Sequence, residues 1–226
     1  MLGELMSRYV AGGFFMHLIL LTSFAGVAIL VERFFVLKSS ANINKEELLN
    51  KIHNYILKGN IQGALTVTAQ NKSPLTNIVQ SGLQAVANKG SNEEVQTAMD
   101  AVALREIPKL EKRIGLLATL SNMATLLGLL GTVSGLIDAF ASVANVAPDQ
   151  KATMLSNAIA TAMNTTAFGL LVAIPLLGAF GYLNSRAQEI IDDIHESSVA
   201  TLNFVLANRK KLFPEDAQPS GKQRAS

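Results

Sequence analysis

Three stretches of the chain carry no charged side chain: Tyr9 to Val31 (23 residues), Ile114 to Ile137 (24) and Ala152 to Ser185 (34). A helix rises about 1.5 Å per residue, so about 20 apolar residues cross the roughly 30 Å hydrocarbon core of a bilayer. Each stretch is long enough, and the pattern predicts transmembrane helices over 12–37, 114–144 and 152–184. The third exceeds what a hydrocarbon core requires, so it is expected to tilt or to project into water. The first runs directly into Glu32 and Arg33 and has Arg8 as the sole basic residue before it, which reads as a span rather than a cleaved leader.

Residues 38–113, between the first two spans, read as a helical domain. Leu48, Leu49, Ile52, Tyr55 and Ile56 recur at helical spacing and stop before Gly59. Ser73-Pro74 is a helix start, followed by Leu75, Ile78, Val79, Leu83 and Val86 on one face. Ser91 and Glu94 have capping-box spacing and open a helix able to run toward the second span, with a kink expected at Pro108. A further helix is expected over 185–211, and the polar residues 212–226 are expected to be disordered. The fold class is therefore an all-α integral membrane protein, with short extramembrane segments at 1–11 and 145–151.

Composition agrees and charge supplies an orientation. Only 16% of the 226 residues are charged and the mean hydropathy is +0.30, against about 25% charged in an ordinary soluble domain. Residues 38–113 hold ten of the 19 basic residues and the segment after 185 holds six, so both are expected in the cytoplasm and the N-terminus outside. The net charge of +2 shows no basic excess of the kind that binds nucleic acid. There is no cysteine, and His17, His53 and His195 have no ligand spacing, so no metal, cofactor or catalytic group is expected. Glu32 and Arg33 read as interfacial anchors, since neighbours on a helix do not face each other.

The chemistry lies in the second and third spans. Alternate steps of three and four through the second give Ala118, Ser121, Thr125, Gly128, Thr132, Gly135, Ala139 and Ser142, a seam of small or hydroxylated residues between bulkier flanks. The third carries Ala158, Ala162, Thr166, Gly169 and Ala173, and beside them a polar stripe of Thr153, Asn157, Thr161 and Asn164 with Thr165 adjoining. Two readings are open. Small residues permit close helix packing while threonines bond back to their own helix. Alternatively, hydroxyls line a hydrated ion path, which buried amides such as Asn157 and Asn164 favour. No carboxylate stands at mid-membrane. Asp138 lies near the outer end, where it is a headgroup contact or a cation attractor, and the missing acid points to a partner subunit.

Gly128-Leu-Leu-Gly-Thr-Val-Ser-Gly-Leu-Ile-Asp-Ala-Phe140 and Ala162-Met-Asn-Thr-Thr-Ala-Phe-Gly-Leu-Leu-Val-Ala-Ile-Pro175 resemble the paired signatures of the MotA/TolQ/ExbB proton channel family. The order of spans fits as well, and the length favours the compact ExbB and TolQ branch. The resemblance implies a homopentamer whose second and third spans surround a pore holding two single-span helices of an ExbD-, TolR- or MotB-like partner dimer. The partner's membrane aspartate would take up and release the ion. Thr132 and Thr166 match the family's pore threonines, with Thr125, Thr161, Thr165 and Asn164 beside them on the implied path. Pro175 matches a helix-bending proline, and Gly128, Gly131, Gly135 and Gly169 serve close packing. Many members have a glutamate at the position of Thr161 and a proline at that of Thr125. The Thr165-Thr166 pair resembles sodium-driven flagellar stators, so proton or sodium is the expected cargo.

Two other classes compete. An oligomeric membrane scaffold would use the same seams for packing alone. A substrate permease would show an inverted repeat or a pair of broken helices, which this sequence lacks.

Overall fold

The computed structural model describes residues 13–41, 45–144 and 146–213; the segment 1–11 and the residues beyond 213 lie outside them. Among the described residues there are eight helices and no strand. They are α1 (Gly13–Ala41), α2 (Lys45–Leu57), α3 (Ile61–Gln70), α4 (Pro74–Ala87), α5 (Asn92–Glu111), α6 (Ile114–Val143), α7 (Pro148–Ala207) and α8 (Arg209–Leu212). The chain divides into two bodies. One holds α1 through Phe35, α6 from the turn at Lys112, and α7 through Ser185; the other holds residues from Val36 through α5, and those from Arg186 onward.

The first body contains the apolar parts of three helical stretches long and apolar enough to cross a membrane. Its interior is built from Met16 and Ile19 of α1, Leu117 and Ala124 of α6, and Ala162, Ala173 and Leu176 of α7. Large apolar side chains also cover the outside: Phe24, Leu126 and Ile174 are 68%, 63% and 68% exposed. Helices that are apolar on every side require a nonaqueous surrounding. At Gly26 of α1 an added Cβ would lie 2.6 Å from a methyl of Leu176, so the glycine is what admits that leucine.

The helix bounds differ from the expectation in α7. A span ending at 184 and a separate helix over 185–211 were expected, but α7 continues without interruption to Ala207 and only the short α8 follows. Leu183, Ala187, Ile190, Ile194, Ser197, Thr201 and Val205 are buried at steps of three and four, so one stripe continues where the composition turns polar. The loop expected over 145–151 is shorter, because α7 already starts at Pro148, whose fixed φ suits a first turn, with acidic Asp149 beside it. α1 extends to Ala41.

The second body packs Leu48, Ile52 and Ile56 of α2 with Ile78, Leu83 and Val86 of α4, Val95 and Met99 of α5, and the buried stripe of α7 from Ala187 on. Ser73 caps α4 in a reciprocal box with Thr76. Ser91 and Glu94 close the expected box at α5, with Ser91 N donating to Glu94 Oε2 at 2.6 Å and Glu94 N to Ser91 Oγ at 3.1 Å. α5 is unbroken through Pro108 and stops at Glu111, because Arg113 adopts the left-handed conformation (φ +65°) between it and α6. Lys45 donates to Asp193 Oδ1 at 2.5 Å, a bond that holds its ammonium above the usual lysine range.

His53 of α2 stacks on Phe204 of α7, ring centroids 3.9 Å apart, and its Nε2 is buried without a hydrogen-bond partner. Burial pushes its pKa below the ordinary value, so the folded protein resists a proton that the unfolded chain accepts near pH 6.5. The stability from this site is complete above about pH 6.5 and is lost as pH falls through that value toward the lower folded pKa. Hydrogen exchange of the α2 amides, corrected for intrinsic rate, is expected to accelerate between pH 7 and 5, and His53→Phe to abolish that acceleration.

Candidate functional site

α6 and α7 meet backbone to backbone. A Cβ at Gly169 would lie 2.7 Å from the Ala124 carbonyl oxygen and 3.0 Å from Gly128 Cα; one at Gly128 would lie 3.1 Å from Thr166 Cα. At Gly131 it would strike Thr165 Cγ2 at 2.4 Å, and at Gly135 it would meet Ala162 Cβ at 3.0 Å. The four glycines therefore share one contact line. Two hydroxyls bind the helices across it: Ser121 Oγ donates to the Ala173 carbonyl at 2.7 Å, and Thr166 Oγ1 to the Gly128 carbonyl at 2.8 Å. The Ser121 bond was not anticipated, since a serine within a seam of small residues gives no sign of its acceptor on another helix.

The seam of α6 is displaced from the one read in the sequence. Ser121, Gly128 and Ala139 are buried, but the positions between them are taken by Ala124 and Gly131; Thr125 is exposed and Thr132 half-buried. Both sets have helical spacing, and the smaller residues win because they admit the α7 backbone. Thr125 Oγ1 donates to the Ser121 carbonyl of its own helix at 3.2 Å, and Thr132 Oγ1 to the Leu129 carbonyl at 2.6 Å. Thr132 still reaches α7: its hydroxyl lies 3.4 Å from Thr166 Oγ1.

Beyond this pair a cleft of about 550 Å³ opens, walled by the start of α1, the latter part of α6 and the first turns of α7. Asn157, Thr161 and Thr165 of the polar stripe line it, as do Ser134 and Asp138 of α6. Asn164 is half-buried and not among the lining residues. Thr165 is 2% exposed, while Asp138 is exposed. Pro175 stands exposed within α7, where its missing N–H leaves the Leu171 carbonyl without its helical donor, and α7 remains continuous through it.

At the other end of this body, Arg33 and Arg113 converge on Glu32. Arg113 Nη1 donates to Oε1 and Oε2 at 2.9 and 2.8 Å, and Arg33 Nη2 to Oε1 at 2.7 Å. The premise that Glu32 and Arg33, as helix neighbours, do not face each other is corrected: the arginine side chain is 6% exposed and long enough to fold back onto its neighbour. Arg113 makes these bonds from a left-handed backbone conformation that disfavours a residue with a Cβ by about 1–2 kcal/mol.

Three apolar helices joined by hydroxyl-to-carbonyl bonds and glycine contacts define a multi-pass, all-helical membrane protein. The chain belongs to the MotA/TolQ/ExbB proton channel family, whose sequence profile matches residues 70–196, more than half its length. It is 28% identical over 192 residues to a putative biopolymer transport protein ExbB homolog of Methanothermobacter thermautotrophicus, covering 85% of this chain and 67% of that protein. It is 38% identical over 96 residues to the Tol-Pal system protein TolQ of Haemophilus influenzae, 42% of each chain. It is also 37% identical over 90 residues to the biopolymer transport protein exbB1 of Vibrio cholerae, 40% of this chain and 38% of that one. The family is one of membrane channel proteins rather than of enzymes.

Gly169→Ala is expected to lower the thermal midpoint of the purified protein, with an overpacking cost of about 1–3 kcal/mol, because its methyl meets backbone rather than a flexible side chain. Gly178→Ala, whose Cβ would meet nothing within 4 Å, is expected to leave the midpoint unchanged or raise it. Scanning fluorimetry in detergent measures both.

Proposed function

We propose that the chain is the ring-forming subunit of an ion-driven motor in the bacterial inner membrane. Five copies surround a pore occupied by the spanning helices of a dimeric ExbD-, TolR- or MotB-like partner. Ions flowing down their gradient do mechanical work through that partner, energising outer-membrane transport, envelope maintenance or motility. The N-terminus lies outside and the C-terminus in the cytoplasm, as the distribution of lysine and arginine supports. No cofactor takes part beyond the transported proton or sodium ion.

The observation that carries this reading is the hydroxyl pair of Thr132 and Thr166, 3.4 Å apart beside the Gly128 carbonyl. Uncharged oxygens offer an ion or a proton-bearing carboxyl a place to pass without trapping it. The titrating acid comes from the partner, whose membrane aspartate meets these hydroxyls once per ion. Thr125, Thr161, Asn164 and Thr165 extend the polar path, Asp138 gathers cations at the outer mouth, and Pro175 bends α7. One charge crossing 100 mV releases about 2.3 kcal/mol, so several ions drive each working cycle. The alternative, an oligomeric scaffold without conduction, is favoured by the hydroxyls of Thr125 and Thr132, which donate to carbonyls of their own helix.

Thr132→Val and Thr166→Val keep size and remove the hydroxyl. Each is expected to preserve the oligomer and to lower ion-dependent activity by about tenfold or more, the effect of losing an interaction of about 1.4 kcal/mol. Thr166→Ser, which keeps the donor, is expected to retain activity. Wild-type ion-dependent activity in the double valine variant would overturn the assignment of the two threonines to the ion path. A second expectation concerns the chain alone in liposomes: without the partner's acid its proton leak stays near that of empty vesicles, and a large leak measured with a pH-sensitive dye would contradict the division of labour.

A further inference from the structure

Two polar groups on the open flanks of α6 and α7 lack a bond. Asn122 of α6 is exposed, and its side chain makes no hydrogen bond among the described residues. It stands eight residues, about 12 Å of helix, inside the charge-free stretch that begins at Ile114. The other group is the Leu171 carbonyl of α7, which Pro175 deprives of its helical donor. Leu171 is 63% exposed, and Pro175 is exposed as well.

The two groups lie at one depth. The contacts of Ser121 with Ala173, Gly128 with Gly169 and Gly135 with Ala162 run in opposite order along the helices, so α6 and α7 are antiparallel. From the Ser121–Ala173 bond, one residue along α6 and two back along α7 lead to Asn122 and Leu171, within about 2 Å of the same level at about 1.5 Å per residue. No bond joins them inside the chain. α1 closes a different side of the pair, with Gly26 against Leu176 and Phe15 near Gly131, and leaves both flanks open. On the α7 flank a Cβ at Gly178 would meet nothing within 4 Å, which leaves room for another helix.

Unmatched amide and carbonyl groups are costly in hydrocarbon, and lipid tails supply neither donor nor acceptor. An asparagine amide has N–H groups to give and a carbonyl only accepts, so each group is what the other lacks. Rotation about the membrane normal keeps every residue at its depth, so copies arranged in a ring bring together groups at equal levels. Such head-to-tail contacts join two different faces of the same chain.

We propose that Asn122 of each copy donates to the Leu171 carbonyl of the next, so that the acceptor freed by Pro175 serves the contact between neighbours. The bond rests on the ring assembly proposed above, but not on ion flow through it.

Such a bond couples Asn122 to Pro175 energetically, which proximity alone would not do. Assembly of the full chain in detergent is followed against concentration by analytical ultracentrifugation for Asn122→Leu, Pro175→Ala and the double variant. Asn122→Leu is expected to raise the midpoint concentration by about tenfold, the scale of one lost hydrogen bond. Pro175→Ala returns a helical donor to Leu171, so adding Asn122→Leu in that background is expected to cost less than about threefold. Equal costs in both backgrounds, or none in either, would overturn the bond. The sequence has no cysteine, so Asn122→Cys and Leu171→Cys supply the only thiols. Combined in one chain and oxidised with copper phenanthroline, they are expected to give disulfide-linked multimers, while each single variant stays unlinked. No multimer from the double variant, or dimers from Asn122→Cys alone, would overturn the head-to-tail contact. A wild-type chain that sediments as a monomer would remove the ring and this bond with it, whereas a ring that assembles without the coupling keeps the first and loses the second.

Discussion

The contact of Gly128 with Gly169 is the constraint on which the membrane body depends. In hydrocarbon, helices gain little from hiding apolar surface, and association rests on close packing and hydrogen bonds. Here the two backbones approach until an added Cβ would stand 2.7 Å from a carbonyl oxygen, and the Ser121 and Thr166 hydroxyls then reach carbonyls of the facing helix. The same approach brings Thr166 to Thr132 and seats Thr165 on Gly131. The ion-path candidates are consequences of how closely two helices lie.

Some polar groups in this body are consumed by that packing and others face the cleft, and the two fates carry different chemistry. A hydroxyl committed to a carbonyl stabilises the helix pair and stays where it is. One without a protein partner is available to water or an ion. Charge is handled differently again at the Glu32 end, where Arg33 and Arg113 share one carboxylate. In the second body the stacking of His53 on Phe204 leaves a ring nitrogen buried and unpartnered, so packing there carries a sensitivity to protonation.

Much of the fold was legible because its signals are local. Long charge-free stretches, the Ser73-Pro74 start, the Ser91–Glu94 box and the glycine at 59 each act within a few residues, and the structure displays every one. The continuation of α7 through Ser185 was missed because composition changes there while the buried stripe does not. The choice between Ala124 and Thr125, or between Gly131 and Thr132, was not legible either. Each pair of neighbours fits the same helical period, and the outcome depends on a backbone that approaches from another helix.

The amino-acid sequence by itself determined that this is a three-span helical membrane protein with small and hydroxylated residues concentrated in the last two spans, and its paired motifs resembled the family to which it belongs. These properties follow from transfer free energy and helical period, which act on each segment alone. Only the tertiary structure decided which hydroxyls are spent on carbonyls, that Ser121 joins α6 to α7, that Arg33 turns back onto Glu32, and that Asp138 shares a cleft with Asn157, Thr161 and Thr165. Those outcomes depend on distances between residues far apart in the chain, and a periodicity carries no information about what stands opposite.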